Sequence, residues 1–273
     1  ISPTLTSELG YAIKNRSPNL YERYTWSTWT MAANMNNSYG DGNGYVGNIN
    51  LAPEKAHTIA WSTDWHDPKK ENYQVKFNPY FTYVDDYIDA VTCGEVGKSC
   101  MSRSDGFSTL SLDNQSARIF GFDISAYKNL GYYNYFGDLS VTSSLAYVRG
   151  KNNDTHDNLY RIMPLNLRVS LEQSLGSWDN RLELMLVKEK GRTSDIRNEN
   201  QTPGYNLVNI ASDYSYKNVM LNLSIKNLFD RKYSDPLGGT YLGQGSTMMT
   251  GVKNGTAVPG MGRSFNVGIL YNF

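Results

Sequence analysis

Apolar and polar residues alternate with a period of two along most of this chain. Leu5, Leu9, Tyr11 and Ile13 oppose Thr6, Glu8, Gly10 and Ala12; Phe120, Phe122 and Ile124 oppose Gly121, Asp123 and Ser125; Val219, Leu221, Leu223 and Ile225 oppose Met220, Asn222, Ser224 and Lys226. Side chains on an extended chain point alternately to opposite faces, so each such run is a strand with one apolar face. The pattern predicts ten strands, near 4–14, 55–65, 73–87, 109–127, 136–149, 163–173, 180–189, 205–215, 219–229 and 263–273, with no sustained helical periodicity. Pro79 lacks a backbone donor and predicts a bulge or a locally broken pair in the third strand.

The connections alternate in length. Long ones, about 15–54, 88–108, 150–162, 190–204 and 230–262, alternate with short ones containing "HDPKKEN", "KNLGYYN", "SLGSWDN" and "YKN". In an antiparallel meander, alternate connections lie at opposite ends, so all the long loops share one end. This asymmetry is that of an outer-membrane β-barrel; a soluble β-sandwich also alternates but does not require it. The chain finishes on "GRSFNVGILYNF", placing Phe265, Val267, Ile269, Tyr271 and Phe273 on one face. A final strand so apolar must meet a core or lipid; in a barrel its polar face looks inward, and Tyr271 and Phe273 belong to the periplasmic aromatic girdle.

Composition fits. Tyr is abundant at 21, with 9 Phe and 5 Trp, as in the aromatic girdles of membrane barrels. The chain contains no run of about 18 apolar residues that would make a transmembrane helix. With 26 basic and 26 acidic residues and a formal net charge of +0, it lacks the basic footprint of a nucleic-acid binder. Cys93 and Cys100, in "CGEVGKSC", are either free thiols or, if the segment lies outside the cytoplasm, a local disulfide.

"NLFDRKY" (Asn227 to Tyr233) and "PGMGRSFNVGILYNF" resemble the carboxy-terminal end of TonB-dependent outer-membrane receptors, and "RSPNLYERY" with "LAPEKAHTI" resembles a loop and return strand earlier in those barrels. "GDGNGYVGN", "VDDYIDAV", "YVRGKNNDTHDNLYRIMPLN", "IRNE" and "PLGGTYLGQGSTM" are similar to the copper-receptor branch of that family. The resemblance implies an all-β, antiparallel transmembrane barrel portion, about ten strands of a barrel of about 22. It implies a plug domain and a TonB box outside residues 1–273, contact with TonB through that plug, recognition of Phe273 by the barrel-assembly machinery, outer-membrane lipid around the strands, and a Gram-negative outer-membrane location. The expected function is energised uptake of a metal ion or metal complex, copper first and a siderophore or other iron complex as the alternative, with no enzymatic activity and no required cofactor.

Copper(I) prefers soft thioether and thiolate ligands, which makes Met31, Met35, Met248 and Met249, in two long loops, the candidate capture site. The competing reading is that these methionines pack the loops together. Met101 and Met261 also fall in long loops, whereas His57, His66 and His156 are too scattered for a site and read as solvated or girdle residues. "YGDGNGY" has Asp41 and Asn43 two apart without the other ligands of a calcium loop, so it reads as a glycine-rich turn. No helix pattern follows "LGGTYLGQG", so it is not a nucleotide loop. Glu8, Lys76, Asp123, Glu183, Asp213 and Lys226 are expected on the inward face, toward plug or water. Two other classes compete. One is an outer-membrane aspartyl-type protease using Asp85, Asp86, His156 and Asp157; the other is a passive porin or adhesin. The strands near 4–14 and 263–273 are expected to be open edges of an incomplete barrel.

Overall fold

The computed structural model describes residues 3–26, 39–94, 100, 106–242, 252–253 and 255–272. Ten strands form an antiparallel meander: β1 (Leu5–Arg16), β3 (Glu54–His66), β4 (Tyr73–Thr92), β5 (Thr109–Tyr133), β6 (Gly137–Asn152), β7 (Asn166–Leu175), β8 (Trp178–Val187), β9 (Tyr205–Tyr216), β10 (Val219–Lys226) and β11 (Ser264–Tyr271). Each of the ten expected strands is present. Two small elements were not expected: β2 (Gly44–Val46), parallel to β5, and the helix α1 (Leu20–Tyr24). α1 is a single capped turn, in which the Asn19 side chain accepts from Glu22 N while the Glu22 carboxylate accepts from Asn19 N. So short an element leaves no helical periodicity to read. Among the described residues no helix is long and apolar enough to cross a membrane.

The register sorts the residues onto two faces. One row runs Glu8, Ser62, Asn78, Asp123, and Lys76, Glu183, Asp213 and Lys226 share that polar face. The opposite face carries Leu9 with Trp61, the row Ile59, Phe81 and Phe120, and the row Leu145, Leu167 and Leu186. We call these the inward and outward faces. Leu9 is 74% exposed, and Ile59, Leu171, Leu182 and Ile269 are also exposed. Each such side chain left in water forgoes roughly 1.5–3 kcal/mol of burial, so this face requires an apolar surround. At the short-turn end it is edged by Trp65 tilted against Tyr73 at 5.0 Å and Trp178 tilted against Tyr214 at 4.6 Å. Tyr271, opposite Val219, lies at that same end; Phe273 is outside the described residues.

Pro79 keeps its place opposite Phe122, but on the β3 side regular pairing lapses between Ala60↔Tyr80 and Thr63↔Phe77 and resumes in the same register. The locally broken pair is therefore found at Pro79, and the bulge elsewhere. One extra residue in β4, Asp86 at φ 55°, shifts the β4–β5 register between Val84 and Tyr87. The alternation changes phase there, as a bulge requires, and this is why a strict period-two template ends the strand near 87 instead of Thr92. Among the described residues β1 pairs only with β3 and β11 only with β10, so the sheet they form has two outer edges.

Cys93 and Cys100 are joined by a disulfide with a Cα–Cα distance of 5.9 Å, pinning the start of the long loop between β4 and β5. Changing both cysteines to Ser is expected to destabilise this loop by about 2 kcal/mol. Thermal melts with and without reductant check this: the wild-type transition should move down on reduction and that of the double variant should not move.

Candidate functional site

The long loops meet at one end of the sheet around one buried cation. Arg197, in the connection between β8 and β9, is 3% exposed. Its Nη2 donates to Asp89 Oδ1 at 2.9 Å, its Nη1 donates to the Tyr45 hydroxyl at 2.6 Å, and Nη1 lies 3.7 Å from Asp41 Oδ2. The guanidinium also sits 4.5 Å from the Tyr39 ring centroid and 5.3 Å from those of Tyr45 and Tyr160. Burial alone would depress the Arg197 pKa, but Tyr45, Asp89 and Asp41 around it hold the guanidinium above its ordinary value. Burial also pushes the Tyr39 hydroxyl up to about 12 and that of Tyr45 well above its usual range, so both are neutral donors beside the charge.

Local sequence makes this possible. Asp86, the bulged residue, turns Asp89 to the inward side, where Asn152 Nδ2 also donates to Asp89 Oδ2 at 3.1 Å. "YGDGNGY" is a tight turn: Asp41 Oδ1 accepts from Asn43 N at 3.0 Å, Oδ2 accepts from the Tyr45 hydroxyl, and Gly42 sits at φ 88° against the Phe107 ring, where a Cβ would collide. Asn43 ties three segments, donating to Arg197 O at 2.6 Å and accepting from Ser108 N at 3.0 Å.

Further ties flank the knot. Arg16 forks onto Glu54 at 2.6 and 2.8 Å and also reaches Glu22 at 2.9 Å. Lys190, buried, donates to Glu199 at 2.5 Å and to Pro236 O at 2.8 Å, linking the connection before β9 to the one after β10. A small apolar cluster of Tyr45, Leu51, Ile88, Ala90, Leu110 and Leu112 underlies β2.

The proposed metal ligands Met31, Met35, Met248 and Met249 lie outside the described residues, as does Met101. Met261 is 69% exposed. Among the described residues no group of three or more His, Cys, Asp or Glu is placed to hold a metal.

Two of the four protease candidates, Asp85 and Asp157, have other partners. Asp85 lies 3.5 Å from His57 Nε2 on the outward face, Asp86 forms the bulge, and His156 is exposed in the turn after β6. The Asp157 carboxylate accepts from Ser194 Oγ at 2.7 Å, Asp195 N at 3.0 Å and Ile196 N at 3.1 Å. Among the described residues no hydrogen bond or ion pair connects Asp85 or Asp86 with His156 or Asp157. His57 accepts or donates at 2.7 Å with the Tyr11 hydroxyl, as a girdle residue would. His66, the last residue of β3, departs from the solvated reading: it is 5% exposed, its ring Nδ1 lies 2.8 Å from Asp67 O, and its backbone N donates to Thr4 O, just before β1.

Residues 2–228 match the family described as TonB dependent receptor-like, beta-barrel. No curated protein sequence matches. Among solved structures the chain is similar to the copper transporter OprC, with 21% identity and a TM-score of 0.77, covering 100% of this chain and 38% of that one. It is also similar to the FrpB iron transporter from Neisseria meningitidis (14% identity, TM-score 0.64, 99% of this chain and 37% of that one). A third is the ferric enterobactin receptor PfeA from Pseudomonas aeruginosa (15% identity, TM-score 0.65, 100% and 39%). The chain thus spans under two fifths of the length of these solved relatives. The match over residues 2–228, the strand meander with its two chemically distinct faces and the loops gathered at one end make this chain a member of the TonB-dependent receptor β-barrel family, whose homologues are Gram-negative outer-membrane proteins.

Proposed function

We propose that this chain is the carboxy-terminal barrel portion of a TonB-energised uptake receptor for a metal ion or metal complex, with copper as the cargo. The observation that carries the reading is the gathering of the long connections into one rim, cross-tied through Arg197, above a sheet that is polar inward and apolar outward. A rim of this kind holds capture loops at a fixed place over a lumen, while the inward row of Glu8, Lys76 and Asp123 offers a hydrated surface to a plug. The likeness to the copper transporter OprC favours copper, as do the thioethers of Met31, Met35, Met248 and Met249, soft donors suited to copper(I). The likenesses to an iron transporter and a ferric enterobactin receptor make an iron complex the second reading.

In this reading TonB acts through a plug supplied by the rest of the receptor, lipid meets the outward face, and Phe273 is the assembly signal. Isothermal calorimetry of the complete receptor in detergent, with copper(I) and a ferric siderophore in parallel, tests the cargo. Changing Met31, Met35, Met248 and Met249 together to Leu is expected to weaken copper(I) binding by at least about tenfold, roughly 1.4 kcal/mol. Copper binding that ignores these changes places capture elsewhere, and binding of the ferric siderophore alone discards copper as cargo.

A further inference from the structure

Above the point where β7 begins, the wall of the sheet has a gap. β6 continues six residues past Ala146, the last residue it pairs with β7, and the chain after β8 rises on the other side. Between them lies a cleft of about 320 Å³, floored by residues 158–159 and 162–165 and walled by 147–150 and 188–192. Its mouth is on the outward side, because Tyr147 packs beside the outward rings of Phe120 and Phe122 and its hydroxyl accepts from Arg192 Nη1 at 3.1 Å.

The charges here are unusual for an outward face. Arg149, Lys188 and Arg192 line the cleft, and Arg118 and Lys151, paired in register beside it, share the outward side. Among the described residues none of these five forms an ion pair. The acidic groups nearby are Glu189 in the lining, Asp154, which is held by Ser116 N and Oγ, and Asp85, which lies beside His57. The fourth cation of the lining, Lys190, is already committed to Glu199. Directly below the cleft runs the apolar row Leu145, Leu167 and Leu186.

We propose that this cleft binds the phosphorylated headgroup of an outer-leaflet glycolipid, with its acyl chains lying against Leu145, Leu167 and Leu186. The juxtaposition selects an amphipathic anion. Unpaired cations beside a cavity attract phosphate, and Arg in particular offers a planar fork that matches phosphate oxygens. The leucine strip rewards attached acyl chains, which a free anion lacks. The proposal rests on the outward face meeting lipid, a premise that Leu184→Arg tests separately.

The test uses the complete receptor, stripped of lipid in non-ionic detergent and titrated with bisphosphorylated lipid A, dephosphorylated lipid A and inorganic phosphate, with binding read by native mass spectrometry. Arg149→Gln, Lys188→Gln and Arg192→Gln are made singly and together, with Lys217→Gln at a short turn as the control. The triple variant is expected to bind the bisphosphorylated lipid on the order of a hundredfold more weakly, each single variant several-fold more weakly, and the control as wild type. Heat-modifiable gel mobility identifies variants that fold, so the single changes still report if the triple does not. Equal binding of dephosphorylated lipid overturns the headgroup assignment. Inorganic phosphate binding as well as the lipid makes the cleft a site for a free anion and overturns the lipid. Lipid binding unchanged in all the variants overturns the cleft itself.

Discussion

Arg197→Met should unfasten the loop rim and cost about 3–5 kcal/mol, because it leaves Asp41 and Asp89 buried with no opposing charge. The loss is local, so hydrogen exchange of the complete receptor is the suitable measurement. Amides at 41–46 and 194–198 should lose protection, while those in β7 and β8, away from the knot, should keep it. Adding Asp41→Asn and Asp89→Asn to Arg197→Met removes the stranded charges and should restore part of the protection. The same triple change separates the cost of an unpaired charge from the cost of lost packing against Tyr39, Tyr45 and Tyr160. Equal exchange in wild type and Arg197→Met would mean that the knot does not hold the loops.

The second large effect is expected on the outward face. Leu184 lies in mid-strand, between Val169 of β7 and Val208 of β9. In lipid, Leu184→Arg should destabilise the folded receptor by about 2–4 kcal/mol, the cost of a cationic side chain near the bilayer midplane. Its chain neighbour Glu183 faces inward, accepting from Asn209 at 2.8 Å and lying 3.4 Å from Arg168. Glu183→Gln should therefore cost under roughly 1 kcal/mol, as for a partly hydrated ion pair. Urea unfolding in vesicles, followed by tryptophan fluorescence, distinguishes the two positions. If Leu184→Arg were as mild as Glu183→Gln, the face assignment would be wrong.

The strands were legible because period-two alternation is strict where one face is polar and the other meets lipid. Glu8, Lys76, Asp123, Glu183, Asp213 and Lys226 all fall on the inward face, as the alternation alone predicts. The alternation fails where the environment stops being two-sided. Above Asp86 the bulge changes the phase and both sides of β4 and β5 become covered, so Ile88, Ala90, Leu110 and Leu112 are buried alongside Asp89 and Ser111. No period marks that region, and β4 extends past where the pattern stops.

The rim was the least legible part. Arg197 gathers groups from positions as distant as Tyr39, Asp89 and Tyr160, and a partnership of that kind leaves no local spacing. "IRNE" with Arg197, "GDGNGYVGN" with Asp41 and Tyr45, and "VDDYIDAV" with Asp89 were singled out only for their resemblance to the copper-receptor branch and not for a shared chemistry. The glycines of "YGDGNGY" did mark the turn, because positive φ at Gly40 and Gly42 is a local requirement. Asp157 shows how residue type can mislead: beside His156 it looks like half of a catalytic couple, yet it accepts two backbone amides and a hydroxyl from the loop before β9.

Metal uptake driven through TonB is the function proposed for the complete receptor. Its most direct test is copper accumulation by cells expressing the complete receptor, compared between strains with and without TonB, with a ferric siderophore as the competing cargo. Accumulation is expected to require TonB, to fall when Met31, Met35, Met248 and Met249 become Leu, and to be unaffected by the siderophore. Copper entry that persists unchanged without TonB would contradict it, and would make the barrel a passive pore.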